Sequence, residues 1–523
     1  MESTNYGHSW TPISPDLTRH DPSKETLPGG PISADISGAE IFDTISAMAV
    51  SPVDTKVIWT GSDDGLVYVT QDGGGNWTEV RPKGLPKWIT ITCIDASPFN
   101  AGTAYLTASQ HQWDNYRPYV YKTTDFGKHW TAISSGLPQN EYVDSVRQDP
   151  GDARLLLLAT SRTVYASFND GAAWQPLTLN LPPVRVFDIE IQAEQHAVVL
   201  GTHGRGVWIL DNLQALEQMG KAAVAANAPY LFAPQQTWLV KRSVHGFGGS
   251  HQPGGTNLAP GATVFFYLPS SYKKGAPVSL TFTTRGGQVI NTYSLPWNPP
   301  IQKGAPGYKK PPKVHPLHAG VNRFLWNFRY QPAVYPKGFY VTEGNLDKIN
   351  APTVVPGAYN VVLTYAGQKL TEPFTVKLDP RLHTTPEQMQ ARLDLLLKIN
   401  GTLQSLDTRL NAALAARAQV EKIAGQGGAD AGEAQKVLAD LDRDIGSMVQ
   451  LKIQSNEGDL VFETRVMERL VLLSNDIQGS YTPLRPTNLQ GFQILDEKAR
   501  SGEARLAIDV DAAAKLAGRK ARS

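Results

Sequence analysis

Only one cysteine, Cys93, occurs in 523 residues, so no internal disulfide can form. That excludes a stapled extracellular scaffold but not export. An excess of charge of either sign is also missing: 49 basic residues against 48 acidic ones leave a formal net charge of +1. This balance offers no footprint for nucleic acid or an anionic membrane. No apolar run approaches the roughly 18 residues that a membrane span needs, so no membrane insertion is expected. The opening stretch MESTNYGHSWTP has neither the basic nor the apolar segment of a signal peptide, which leaves the location open. HExxH, paired CxxC, a phosphate-binding glycine loop and a Gly-x-Ser-x-Gly elbow are all lacking, and neither a metal nor a cofactor is expected. What is plentiful is glycine, at 46 residues, and proline, at 37, as many turns and short strands require.

The chain repeats itself. Ser3–Trp10, Thr70–Trp77, Thr123–Trp130 and Ser167–Trp174 all fit S/T-x-D/N-x-G-x-x-W. The text around them recurs too, as MAVSPVDTKVIWTGSDDGLVYV, IDASPFNAGTAYLTAS, VRQDPGDARLLLLATSRTVYA and IEIQAEQHAVVLGTHGRGVWIL. Each unit reads as four short strands joined by turns, the size of a β-propeller blade. In the box, Asn5, Asp72, Asp125 or Asn169 accepts backbone N–H bonds within a tight turn, and the glycine supplies a conformation that other residues resist. Trp10, Trp77, Trp130 and Trp174 are expected as apolar plugs between strands. All eight are structural by this reading.

These boxes resemble Asp-box (BNR) repeats, as found in sialidases, xyloglucan-active glucanases and sortilin/Vps10 propellers. The ending THGRGVWILDNL is similar to that of large bacterial Asp-box proteins often labelled glycosyl hydrolases. The resemblance covers about Met1–Asn212 and implies a propeller whose full-length members are exported. Residues 42–212 hold about four blades, while residues 3–13 supply only the last turn and strand of an earlier one. The expectation is therefore the carboxy-terminal part of a larger propeller protein, with the upstream portion as one partner.

Beyond the boxes the pattern changes. Residues 213–227 read as a linker helix. Period-two alternation over residues 228–380, with Phe324, Trp326, Phe328 and Tyr330 on one face, predicts an immunoglobulin- or fibronectin-III-like sandwich. The Gly- and Pro-rich stretches 244–257 and 297–316 read as loops, and His315 and His318 there as solvated. Thr385, Pro386 and Gln388 form a capping box that opens a helical hairpin or bundle over residues 381–480, with a second helix from Glu433 to about Gln454 and a third over Asp459–Asp476. Residues 481–523 read as an irregular tail with a weak helix. The fold class expected is thus mainly β, a partial propeller followed by a sandwich and helices.

Alternation along each blade puts the boxes at one end of its strands and the second-to-third strand turns at the other. By resemblance to sialidase-type propellers, ligand is sought at that second end. The enlarged loop Ser109–Pro118 carries His111, Trp113, Asp114, Tyr116 and Arg117, aromatics able to stack with charges able to orient. Trp88, Tyr142 and Arg185 from the inter-blade connections, with His203 and Arg205 from a glycine-rich turn, complete the candidate ligand set. Hydrolysis of a glycoside needs two carboxylates across the bond. Asp63, Asp64, Asp114 and Glu141 are the candidates, and no pair converges from sequence alone. The readings carried forward are a non-catalytic binder of protein, peptide or glycan, a xyloglucanase-like hydrolase, and a fragment without activity of its own.

Overall fold

The computed structural model describes residues 1–26, 29–34, 41–219, 226–240, 260–297, 316–333, 335–336, 339, 351–453, 458–479 and 481–520. The chain divides into two compact units, Met1–Ala225 and Ala226–Ser523. It is mainly β, built of antiparallel sheets, with a helical carboxy-terminal region.

Met1–Ala225 forms four antiparallel meanders in chain order. The first contains β1 (Ile45–Val50), β2 (Ile58–Ser62), β3 (Val67–Thr70) and β4 (Thr78–Glu79). The second contains β5 (Thr90–Ala96), β6 (Ala104–Gln110), β7 (Asn115–Thr123) and β8 (Thr131–Ala132). The third contains β9 (Val143–Gln148), β10 (Leu156–Thr160), β11 (Val164–Ser167) and β12 (Gln175–Pro176). The fourth stops at three strands: β13 (Val186–Gln192), β14 (Ala197–Thr202) and β15 (Val207–Leu210). Successive sheets meet through their first strands, β1 against β5, β5 against β9 and β9 against β13.

The run Leu155–Leu158 shows why such strands read as continuously apolar. Leu156 and Leu158 enter the core shared with the second sheet, while Leu155 and Leu157 enter the core shared with the fourth. A strand buried on both faces loses the alternation of a one-sided sheet. The first strands carry polar residues as well: Arg147 donates to Cys93 Sγ at 2.6 Å and to Asp188 at 3.0 Å, and Gln148 N donates to Asp95 at 2.7 Å.

All four boxes close in one way. Thr70 Oγ1 accepts from Gly74 N at 2.9 Å and donates to Asp72, which accepts from Asn76 N at 2.9 Å. Thr123–Asp125, Ser167–Asn169 and Ser3–Asn5 repeat the pattern. The tryptophans do more than plug. Trp77 Nε1 donates to Ile13 O, Trp130 to Val80 O and Trp174 to Ile133 O, at 2.9, 2.6 and 2.6 Å. Each indole therefore staples its box to the outer strand before it, three residues past the preceding box tryptophan.

The fourth sheet has no box: Leu210 stands where the others have a hydroxyl, Gln214 where they have Gly and Glu217 where they have Trp. The chain leaves instead through α1 (Gln214–Glu217), the described turn of the expected linker helix. Residues 220–225 of that linker lie outside the described residues.

Ala226–Ser523 begins with β16 (Tyr230–Leu231), β17 (Thr237–Leu239), β18 (Ala262–Leu268), β19 (Val278–Thr284), β20 (Val289–Leu295), β21 (Gly320–Trp326), β22 (Gly357–Tyr365) and β23 (Gln368–Leu378). A three-stranded sheet, β16-β18-β21, and a five-stranded one, β17-β23-β22-β19-β20, share a core where Phe282 stacks on Trp326 at 4.3 Å. The hairpin at Ala366-Gly367 has φ of 51° and 78°, the turn that its sequence predicts. Most of stretches 244–257 and 297–316, with His315, lies outside the described residues.

The helices are α2 (Pro386–Gly425), α3 (Ala431–Met448), α4 (Val466–Gln478) and α5 (Pro486–Lys520). The expected capping box at Thr385 and Gln388 is present. The second helix ends earlier than its pattern suggested, at Met448. The third starts later, at Val466, where Glu468 accepts from Arg465 N. The weak helix expected within residues 481–523 is present as α5, which runs 35 residues and buries Ala499, Leu506, Ala513 and Leu516 in the helical core. Small alanines at two of those positions concealed the stripe.

Candidate binding face

The turn after β6 and the segments entering β9 and β13 lie at the strand ends opposite the boxes. Ser109, next to last in β6, has its hydroxyl 2.9 Å from His111 Nδ1, and a short 3₁₀ turn, His111–Trp113, carries the enlarged loop outward. Asp114 caps that turn at φ 57°.

His111 lies flat on Tyr142, with centroids 4.1 Å apart and planes 9° from parallel. Tyr116 leans on the same ring at 6.1 Å. On another side, the Arg185 guanidinium sits 5.2 Å from the Tyr142 centroid and 5.0 Å from that of Phe187. Two of its nitrogens donate to the carboxylate of buried Asp144, at 2.9 and 2.8 Å. That fork fixes the guanidinium plane over the rings. The bond to Asp144 holds the Arg185 pKa above its ordinary value. Burial, then the nearby Arg185 charge, lowers the pKa of His111 and favours its neutral ring. Burial raises the pKa of Tyr142. Around this shelf Trp113, Tyr116 and Phe187 stay 54%, 44% and 59% exposed.

The structure thus brings His111, Tyr116, Tyr142 and Arg185 together. The backbone N–H of His203 donates to Arg185 O at 3.0 Å. Arg205, on the same turn, and Arg117 and Asp114, on the enlarged loop, are exposed. Trp88 meets the enlarged loop through its carbonyl, which accepts from Gln110 Nε2 at 3.3 Å; around its ring Phe42 packs edge-on at 5.4 Å, and Arg19 and Lys24 each lie 5.8 Å from its centroid.

Of the four candidate acids, Asp63 and Asp64 stand side by side, and burial, then the Asp64 charge, raises the Asp63 pKa. Asp64 is buried and accepts from Ser62 Oγ, Leu66 N and Arg19 N. Asp63 accepts from Thr44 N at 2.9 Å. Beside them the carboxyl of Asp43 is pushed up to about 6, by burial first and then by its bond to Asp64. Glu141 accepts from Thr160 Oγ1 and Tyr165 Oη.

Sequence reasoning missed Asp144 and Phe187. Asp144 sits inside the strand pattern YVDSVRQ, where a buried acid is the signal that could have found it. Phe187 reads as core, yet the sheet turns it outward. The Arg19 and Lys24 cations escaped notice because the segment before β1 shows no periodicity. No group of His, Cys, Asp and Glu among the described residues could hold a metal ion.

No family model matches the chain, and no curated protein matches it in sequence. Solved structures resembling part of it include the GH74 xyloglucanase of Xanthomonas campestris, at 21% identity and TM-score 0.27, over 32% of this chain and 28% of that one. YCF48 from Cyanidioschyzon merolae matches at 19% identity and TM-score 0.23, over 32% and 53% of the two chains. YCF48 bound to D1 peptide matches at 14% identity and TM-score 0.26, over 48% and 69%. The matched part spans under a third of the xyloglucanase. Overlap of this extent identifies neither an activity nor a ligand.

Proposed function

We propose that the four sheets of Met1–Ala225 are consecutive blades of an Asp-box propeller whose box-distal end binds a ligand without transforming it. The ligand is one that offers flat apolar faces flanked by hydrogen-bond acceptors. Pyranose rings of a glycan and aromatic or proline side chains of a peptide share that chemistry. The observation that supports this reading is the shelf itself: His111 stacked on Tyr142, braced by an Arg185 that Asp144 already holds. A surface fixed before the ligand arrives has less ordering to lose on binding. In Ala226–Ser523, we read the two sheets as an immunoglobulin-like sandwich and the helices as a docking or spacing element.

Glycan and peptide arrays, each probed with the full chain, separate the two ligand sources. Tyr142→Ala and Arg185→Ala are expected to weaken binding on the order of tenfold each, as a truncated central contact does. Asp72→Asn, at the box end, should leave it unchanged. Hydrolysis of polysaccharide, the second reading, draws less support, because Asp63, Asp64 and Glu141 are spent on local hydrogen bonds. A reducing-end assay on a polysaccharide panel tests it. Release that disappears on changing Asp63, Asp64, Asp114 or Glu141 to Ala, in a chain that still folds, replaces the binding reading with the enzymatic one.

A further inference from the structure

Among the described residues the staples leave one socket empty and one indole unused. Val80, Ile133 and Leu177 occupy equivalent positions, each donating its N–H across its sheet, to Val67 O, Val120 O and Val164 O. Val80 and Ile133 also receive the next box. Trp130 and Trp174 bond to their carbonyls, and a Cβ on Gly127 or Gly171 would come within 2.6 or 2.7 Å of their side chains. Leu177 receives no indole among the described residues. A cleft opens there instead, lined by Leu157, Val164, Leu177, Leu200 and Trp208. Leu157 holds the register position of Trp59, the residue that touches Trp130 edge-on at 6.1 Å. Alongside, β15 is the edge of a sheet that lacks an outer strand, with Val207 69% and Ile209 60% exposed.

At the other end stands Trp10. Its box is closed like the others, yet its ring is 58% exposed, and Tyr6 in the same box is fully exposed. Trp10-Thr11-Pro12-Ile13 matches Trp174-Gln175-Pro176-Leu177, in which Pro176 pairs with Tyr165 as part of an outer strand. The amino-terminal segment is therefore an outer strand with its indole, and the fourth sheet lacks both.

We propose that a second copy of this chain fills the cleft, its Trp10–Ile13 adding as the outer strand beside β15 and its indole N–H bonding to Leu177 O. Among the described residues the isolated Glu2–Thr11 bridge is what has to yield to free that strand's edge. The contact joins different surfaces of the two copies, so it is heterologous and leaves each copy able to give and to receive. The addition follows the general mode by which an extended segment completes an exposed sheet edge.

Sedimentation of the full chain should show a mass that rises with concentration. Trp10→Ala removes the donor. Leu179→Arg puts a charge on an exposed residue, 69% accessible, at the rim of the cleft, and is expected to leave the far-UV circular dichroism unchanged. Each variant alone should remain monomeric. Mixed in equal amounts they should pair into a species of two chains and no more, since one retains the cleft and the other the indole. Hydrogen exchange at the Val207–Leu210 amides should slow on pairing. A wild-type chain monomeric at every concentration, variants that fail to complement while each stays folded, or unchanged β15 exchange overturns the proposal. A monomer with slow exchange at β15 would mean that the chain's own Trp10 fills the cleft, and this also overturns it.

Discussion

A single indole N–H decides whether a box belongs to its own sheet alone or to two. Trp130 donates to Val80 O at 2.6 Å, so Trp130→Phe keeps most of the apolar contact and strands one carbonyl. A loss of about 0.5–1.5 kcal/mol is expected, read from denaturant unfolding. Carboxyls split into two classes with opposite pH behaviour. Hydrogen bonds from Asn76 lower Asp72 from 3.8 to about 2, and bonds from His129 lower Asp125 likewise. Their contribution is present above pH 3.8 and fades as pH falls toward 2. Asp95 runs the other way: burial raises it to about 6, against the opposing pull of Gln148 N. The fold binds that proton more tightly than the unfolded chain does, so stability falls as pH rises from about 4 to about 6. Asp43, Asp149, Asp407 and Asp509 are raised to about 6 as well, so Asp95→Asn should reduce the slope in this window, in thermal melts taken across pH, without abolishing it, and leave the loss below pH 3.8 intact.

Elements differ in how plainly the sequence announces them. The boxes were legible because Thr70, Asp72, Gly74 and Trp77 each have a separate local duty, and local duties fix spacing. The strands between them were legible from the recurring text. What stayed hidden was the reach of each tryptophan, because its acceptor belongs to another sheet and lies more than 40 residues away. The binding shelf was half visible: aromatics and an arginine stood out in loops, whereas Asp144, the brace, sat within a strand. In α5 the buried alanines gave no hydrophobic signal, so a packed helix read as a weak one. Two substitutions test these elements. Gly127→Ala places a methyl at φ 79° within 2.6 Å of Val80 Cβ, and a loss above about 1 kcal/mol is expected in urea unfolding. Leu506→Ala, in the middle of α5, should cost about 2–5 kcal/mol and lower the helical circular dichroism transition.

Across the whole molecule, each unit owns its apolar interior: one set lies between the sheets of Met1–Ala225, and another serves the strands and helices of Ala226–Ser523. Residues 226–523 expressed alone should therefore fold, with a cooperative melt and mixed helix and strand circular dichroism. In the full chain, a ligand held by His111, Tyr142 and Arg185 should protect the first unit selectively in such a melt. The indole links have one more consequence. Each ties a neighbour to the next neighbour and no farther, as vertebrae are joined, so cohesion passes down the row one joint at a time. Among the described residues the first and second sheets carry two such links each, the third carries one and the fourth none. Deuterium should therefore enter the strands of the fourth sheet first and those of β6 last, and a spine given one extra vertebra, by duplicating residues 88–141, should keep that order with its slowest point moved along by one.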